Sequence, residues 1–326
     1  MFLNRLVKWL GRPLSYKSRS IRALIARATE RILRFFLYPV FLFFRNTYIG
    51  RSISFKCLPA NEIVVAETPE INFLVNSSDL VIGRETFVRQ KPFDSEKLIE
   101  AFSLIKQRDG FQFEEIDLLI DVGANIGTIG LTAVAKNLVK RCLAFEPEPK
   151  NYRLLEANIQ INSLADRVDA HNIALSDGSA LELEFELDNV NYGDHRVRVT
   201  QEVGLYKESS RRTIKVRAST LSEFQSVIEP NRSLLWMDTQ GFEGYVLSGA
   251  APLIAKQIPI VTEFWPYGLR RSNCFEQFID ALDCGVYKFL VVLDGENTAM
   301  QFHRNRILEL ADSIGWEGNH LDILIY

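Results

Sequence analysis

The chain has 326 residues, of which 47% are hydrophobic and 24% charged, and a net charge of −3. These proportions are ordinary for a globular protein, and the length suffices for one large domain, or one domain with appendages, around a sizeable core. Four cysteines and four histidines are scattered without ligand spacing. That excludes a zinc signature and a disulfide framework and points to a reducing, cytoplasmic setting.

The small net charge hides an asymmetry. Residues 1–51 carry nine Arg and two Lys against the single acid Glu30, a net of +10, and the remaining residues carry 27 basic against 40 acidic side chains, a net of −13. Leu3, Leu6, Val7 and Leu10 recur at helical spacing among Arg5, Lys8 and Arg12. Ile21, Leu24, Ile25, Ala28 and Ile32 repeat the pattern beside Arg22, Arg27 and Arg31. The bulky apolar run 35–44 is too short to span a bilayer and has Pro39 in its middle. It is also too apolar for a nucleic-acid-binding arm, and nothing resembles a signal-peptide cleavage site. A basic helical extension of this kind is expected to lie on an anionic membrane surface. The competing expectation is an apolar stripe packed on the catalytic domain or on a second subunit.

Residues 52–115 read as a bridging or capping segment, with short strands at 63–66 and 71–75 and a helix over 96–107. The main domain is expected to occupy 116–326. Ile116, Leu118, Leu119 and Ile120 form a buried strand that runs into Asp121-Val-Gly-Ala-Asn-Ile-Gly-Thr-Ile-Gly130 and then into a helix. Strand, glycine turn and helix together let a nucleotide-like ligand approach bare backbone. Gly123 and Gly127 remove side chains where such a ligand must lie close. Asn125 stands where the dinucleotide fingerprint needs its first glycine, and a carboxylate at Asp121 sits badly beside a diphosphate. The loop therefore suits a cationic, phosphate-free cofactor such as S-adenosylmethionine (SAM), whose ammonium Asp121 can hold.

Residues 141–145 form a second buried strand ending in Glu146-Pro-Glu-Pro149. Glu146 is placed to bind the two hydroxyls of a ribose, and Glu148 to cap the next helix. A helix over 152–161 and a third strand over 168–175 follow. Strand-like segments 181–187 and 213–216 enclose the polar stretch 189–210. Core strands are expected at 234–237, 258–262, 286–293 and 321–326. The alternation is that of an α/β, doubly wound sheet.

These motifs, with Asn158 and Asn162 on a helix, Ala174-Leu-Ser-Asp177, Met237-Asp-Thr-Gln-Gly-Phe-Glu243 and Leu247-Ser-Gly-Ala250, resemble the FkbM family of SAM-dependent methyltransferases over roughly residues 75–326. The resemblance implies a class I methyltransferase (Rossmann-like) fold of seven strands, mostly parallel with the last antiparallel. It also implies methyl transfer to an oxygen of a sugar, glycolipid or natural product. In such a fold Asn172 to Asp177 would lie by the adenine, which adds Asn172 and Asp177 to Asp121, Gly123, Asn125, Gly127 and Glu146 as cofactor-binding candidates.

A hydroxyl acceptor benefits from a base that takes its proton during attack. Asp238 and Glu263, at predicted strand ends, and His195, in a polar loop, are the candidates. Gln240 departs from the commoner family form Asp-Val-Glu-Gly-x-Glu and removes one base or metal ligand, so a metal-free reaction is expected. A non-catalytic SAM-fold module recruited to membranes is the alternative, and an NAD-dependent oxidoreductase is weakened by Asn125.

Overall fold

A computed structural model describes residues 35, 37–106, 115–293 and 296–326. The chain divides into two compact units, Met1–Leu58 and Pro59–Tyr326. In the first, residues 37–46 are helical straight through Pro39, and a second helix, Tyr48–Lys56, starts at Thr47, whose side chain accepts from the Gly50 amide. Leu37, Tyr38, Val40, Phe41, Phe43, Tyr48, Ile49 and Ile53 are exposed. The basic helices expected at the very N-terminus lie outside the described residues. Among the described residues no helix is long and apolar enough to cross a membrane.

The second unit begins with the hairpin β1 (Ile63–Glu67) and β2 (Asn72–Asn76) and the helices Ile82–Arg89 and Ser95–Lys106. The main sheet starts with β3 (Leu118–Val122), β4 (Arg141–Phe145) and β5 (Val168–His171), three parallel neighbours joined by right-sized helical crossovers. β3 is buried at every position, as its unbroken apolar run demands of a strand covered on both faces. The chain then leaves this sheet and builds a smaller one from β6 (Ala174–Leu175), β7 (Glu182–Leu187), β8 (Arg196–Val197) and β9 (Arg212–Ser219), in the order β6-β9-β7-β8. It returns for β10 (Ser233–Met237), β11 (Ile260–Phe264), β12 (Phe289–Val292), β13 (Ala299–Gln301) and β14 (Leu321–Ile325).

The main sheet has the order β13-β12-β14-β11-β10-β3-β4-β5. β14 runs antiparallel to both its neighbours, as expected. Two expectations need correcting. The sheet has eight strands rather than seven, because β13 folds back on β12 as an edge hairpin. The third strand does not continue over 168–175 either. The Asn172 side chain donates to the carbonyls of Glu146 and Pro147 (2.8 and 3.0 Å), and that pins the chain at a bend from which β6 pairs with β9 instead.

Strand order reverses between β3 and β10, which lie side by side. The first half of the sheet winds outward from β3 and the second half outward from β10, so the following helices diverge and leave a crevice at the carboxyl ends of these strands. Asp121, Glu146, Asp238 and Glu263 all fall at or beside those ends.

Candidate active site

The crevice holds two clefts that share residues. The first is lined by Gly123 and Asn125 after β3, Glu146 after β4, Ile173 to Leu175, and Phe242. Phe185, Tyr192, His195 and Val197 of the small sheet close its other side. The second, of about 560 Å³, runs past Asp238, Gln240, Glu263, Trp265, Tyr206, Asp94, Lys97 and Asp322. Asp238 and Gly193 line both.

The loop after β3 is tightly determined. Gly123 has φ +84°, and a Cβ there would overlap the carbonyl oxygen of Asp238, so the ends of β3 and β10 can approach only across a bare α-carbon. The Gly123 and Ala124 amides donate to Phe145 O, both at 3.0 Å. Asn125 is left-handed (φ 52°), a region asparagine tolerates. Its side chain donates to Tyr192 O (3.0 Å), which ties the loop to the small sheet.

Glu146 is buried and faces the first cleft. Its oxygens accept the Asn125 and Glu148 amides, each at 2.8 Å. Burial nevertheless pushes its carboxyl up to about 8, the two amides opposing. Glu148 caps the helix Pro149–Ile161, accepting the Lys150 and Asn151 amides at 2.7 Å.

The remaining cofactor candidates stand behind the wall of the cleft. Asp121 is buried and does not line it; its carboxylate accepts the Gly130 amide (2.9 Å) where the next helix begins, and burial raises it to about 7. Gly127 packs against Leu131 and Leu155. Asn172 holds the bend described above, and Asp177 accepts the Ser179 amide in its own turn (2.9 Å). Between these two, Ile173, Ala174 and Leu175 supply an apolar surface.

The three base candidates differ in chemistry. His195 lines the first cleft, and its Nδ1 accepts the Asp188 amide (3.0 Å). A neutral imidazole so bonded carries its proton on Nε2 and is a donor toward the cleft. Burial lowers its pKa to about 4, so it is neutral at physiological pH. Asp238 and Glu263 come together instead: one Gln240 Nε2 donates to Asp238 Oδ1 (2.8 Å) and Glu263 Oε2 (3.1 Å). Asp238 is open to water in the cleft but surrounded by protein at depth, which raises its carboxyl to about 7. Glu263 is buried and is raised well above the ordinary carboxylate range by burial and by Asp238 beside it.

Sequence reading missed the buried charges beside this pair. Trp265 is stacked over the Arg196 guanidinium at 4.7 Å, and Tyr206 borders the same face. Arg196 and Arg211 are buried among Glu186, Asp194 and Glu208. Alternating Glu and Arg in strands are ordinary surface patterning, so the sequence carried no sign that these pairs turn inward. No group of residues suited to a metal occurs among the described residues.

The wall of the first cleft is largely apolar, Glu146 presents its carboxyl there, and among the described residues no Lys or Arg lines it, which is the chemistry of a site for a phosphate-free nucleoside rather than a diphosphate. With the β3–β10 crossover above it, this is the arrangement of a class I SAM-methyltransferase fold. The model of the FkbM methyltransferase domain matches residues 121–285, and the chain belongs to that family, with SAM as its cofactor. No curated protein matches the sequence. Similar solved structures include a methyltransferase FkbM from Methylobacillus flagellatus KT (15% identity, TM-score 0.39, 74% of this chain). This chain spans only 54% of that protein's length. Others are TYW2 of P. horikoshii in complex with MeSAdo (13%, TM-score 0.37, 82% of this chain and 73% of that one) and a precorrin-6y C5,15-methyltransferase from Geobacter metallireducens GS-15 (10%, TM-score 0.34, 71% and 88%).

Proposed function

We propose that the protein transfers the methyl group of SAM to a hydroxyl of a glycan, glycolipid or natural-product acceptor, with Asp238 as the base. The observation that carries this reading is that Asp238 belongs to both clefts. A carboxylate at their junction can touch the acceptor oxygen where that oxygen meets the methyl. Bound SAM supplies an activated methyl, so the protein's own task is alignment and proton removal. The acceptor O–H bond breaks with its proton passing to Asp238, an O–C bond forms, and the S–C bond electrons return to sulfur. The products are a methyl ether and S-adenosylhomocysteine.

The other candidates take supporting parts. Glu146 binds the ribose hydroxyls, and Ile173 to Leu175, held by Asn172 and Asp177, pack the adenine. Asp121, Gly123, Asn125 and Gly127 shape the loop along which the cofactor lies. His195 donates from Nε2 rather than accepting a proton. Glu263 stays protonated more readily than Asp238 and serves as its neighbour. The breadth of the second cleft and its many carboxylates, Asp94, Asp188, Asp238 and Asp322 among them, suit a polyhydroxylated acceptor.

Residues 1–58 hold the enzyme at an anionic membrane surface in this reading, supported by the excess of Arg and Lys and by the exposed apolar side chains. The deciding experiment incubates the enzyme with methyl-labelled SAM and fractionated glycans and glycolipids. Label is expected in a methyl ether. Asp238→Asn should lose at least about 100-fold in rate, the usual scale of a base, with SAM affinity changed only a few-fold. Label on nitrogen or carbon would overturn the reading.

A further inference from the structure

We propose that Gln240 is a positioning residue that clamps Asp238 Oδ1 and Glu263 Oε2 with its two amide hydrogens, leaving Asp238 Oδ2 as the oxygen presented to the acceptor. This rests on Asp238 being the base. An amide nitrogen has two hydrogens, and both contacts, at 2.8 and 3.1 Å, originate from that one atom. A donor on Asp238 Oδ1 favours the ionised form of that carboxyl, and its second hydrogen ties the same amide to Glu263.

The backbone is bent to put the amide there. Gln240 is left-handed (φ 56°), a conformation uncommon for glutamine. It is followed by Gly241 at φ +92°, where a Cβ would overlap the backbone of Gly268. Below the turn, Glu243 Oε1 accepts from the Thr239 amide (2.9 Å), the Thr239 hydroxyl (2.8 Å) and the Gly241 amide (3.3 Å). Four residues are thus wound about one buried carboxylate, and the turn cannot relax without losing those bonds. Strained backbone held by its surroundings concentrates where a side chain must be aimed.

The electrostatics give the clamp something to oppose. Asp238 is raised by Glu243 from its own turn and by Asp322 from β14 and Asp94 from the segment before the helix Ser95–Lys106, two acids that share Lys97 between them, and Asp238 in turn raises Glu263 from β11. Arg196 offsets part of the same field at Glu263, and His320 approaches Glu263 Oε1 at 3.6 Å. Gln240 is the hydrogen-bond donor to Asp238 from within the cleft. A glutamate in its place would add a further negative group and remove the donor.

The test compares affinities of the full chain for SAM and S-adenosylhomocysteine by calorimetry from pH 5.5 to 9. The two ligands differ in the sulfonium charge, so their affinity ratio follows ionisation at Asp238, while groups such as Glu146 act on both alike and cancel. In the wild type the ratio should rise with pH through a midpoint. In Gln240→Ala that midpoint should move up by about one pH unit, with S-adenosylhomocysteine affinity unchanged within twofold. Gln240→Glu, of equal size, should move it further and covers the case in which the alanine variant fails to fold. An unmoved midpoint in both variants, or an equal loss of both ligands, would overturn the role of Gln240. Asp238→Asn separates the two readings: it should abolish the pH dependence of the ratio, and a wild-type midpoint there would sink the assignment of Asp238 itself.

Discussion

The Asn125 backbone amide donates to Glu146 Oε2 at 2.8 Å. A carboxylate after the second strand therefore holds the glycine loop after the first, while its other oxygen holds the Glu148 amide. In the proposed function, ribose recognition would depend on the side chain that also sets the loop shape. Glu146→Gln keeps one acceptor oxygen of two and leaves one buried amide unpaired. It is expected to weaken SAM binding by about tenfold or more and to cost roughly 1–3 kcal/mol of stability, the scale of an unsatisfied buried donor. Calorimetric titration and thermal unfolding on one preparation check both; a loss of affinity with unchanged stability would confine Glu146 to the ribose.

Asn158 is fully buried and joins three segments. Its side chain accepts from the Leu74 amide (2.6 Å) and donates to Ile126 O (2.9 Å), linking β2, the glycine loop and the helix between them. Asn158→Leu keeps the volume but orphans those groups. The expected loss is about 2–4 kcal/mol, read as a fall in denaturant midpoint at constant slope.

Asp121 makes stability depend on pH. Its folded pKa of about 7 lies above the ordinary value of 3.8. Between those values the folded chain holds a proton that the unfolded chain has released, so stability is greatest at the acid end and declines as pH rises toward 7. Three pKa units correspond to about 4 kcal/mol as an upper figure. Asp121→Asn should flatten that part of the curve of unfolding free energy against pH. An unchanged slope between pH 4 and 7 would show that other groups carry it.

The N-terminal unit calls for a vesicle experiment. Full-length protein is expected to sediment with phosphatidylserine vesicles at low salt, to release as salt rises, and to ignore phosphatidylcholine vesicles. Removal of residues 1–58 should abolish sedimentation. Equal binding to both lipids would leave the basic residues without that role.

Much of the sheet was legible because fully buried parallel strands are continuous apolar runs, as at residues 118–122, 233–237 and 260–264. Glu148 was legible as a cap because proline at the first helical position and a side-chain acceptor before it form a local signal. The break at Asn172 was not, since it depends on carbonyls some 25 residues earlier in the chain. The same holds for the clustering at the site. Asp238 and Glu263 are ends of neighbouring strands and could be paired from topology. The inward turn of Arg196 beneath Trp265 is a tertiary fact without a local signature. For His195 the sequence leaves the tautomer open, and one backbone bond to Nδ1, made by Asp188 seven residues away, fixes it.

The small sheet is spliced between the third and fourth strands of the main one, and it furnishes walls to both clefts. Phe185, Tyr192 and His195 border the first cleft, and Asp188, Tyr206 and Arg211 border the larger one. If the clefts take donor and acceptor as proposed, grip on the one and choice of the other are built on a single stretch of chain. Swapping residues 174–219 between relatives would exchange both properties at once, so a grafted taste for a new acceptor would arrive with a changed hold on the methyl donor.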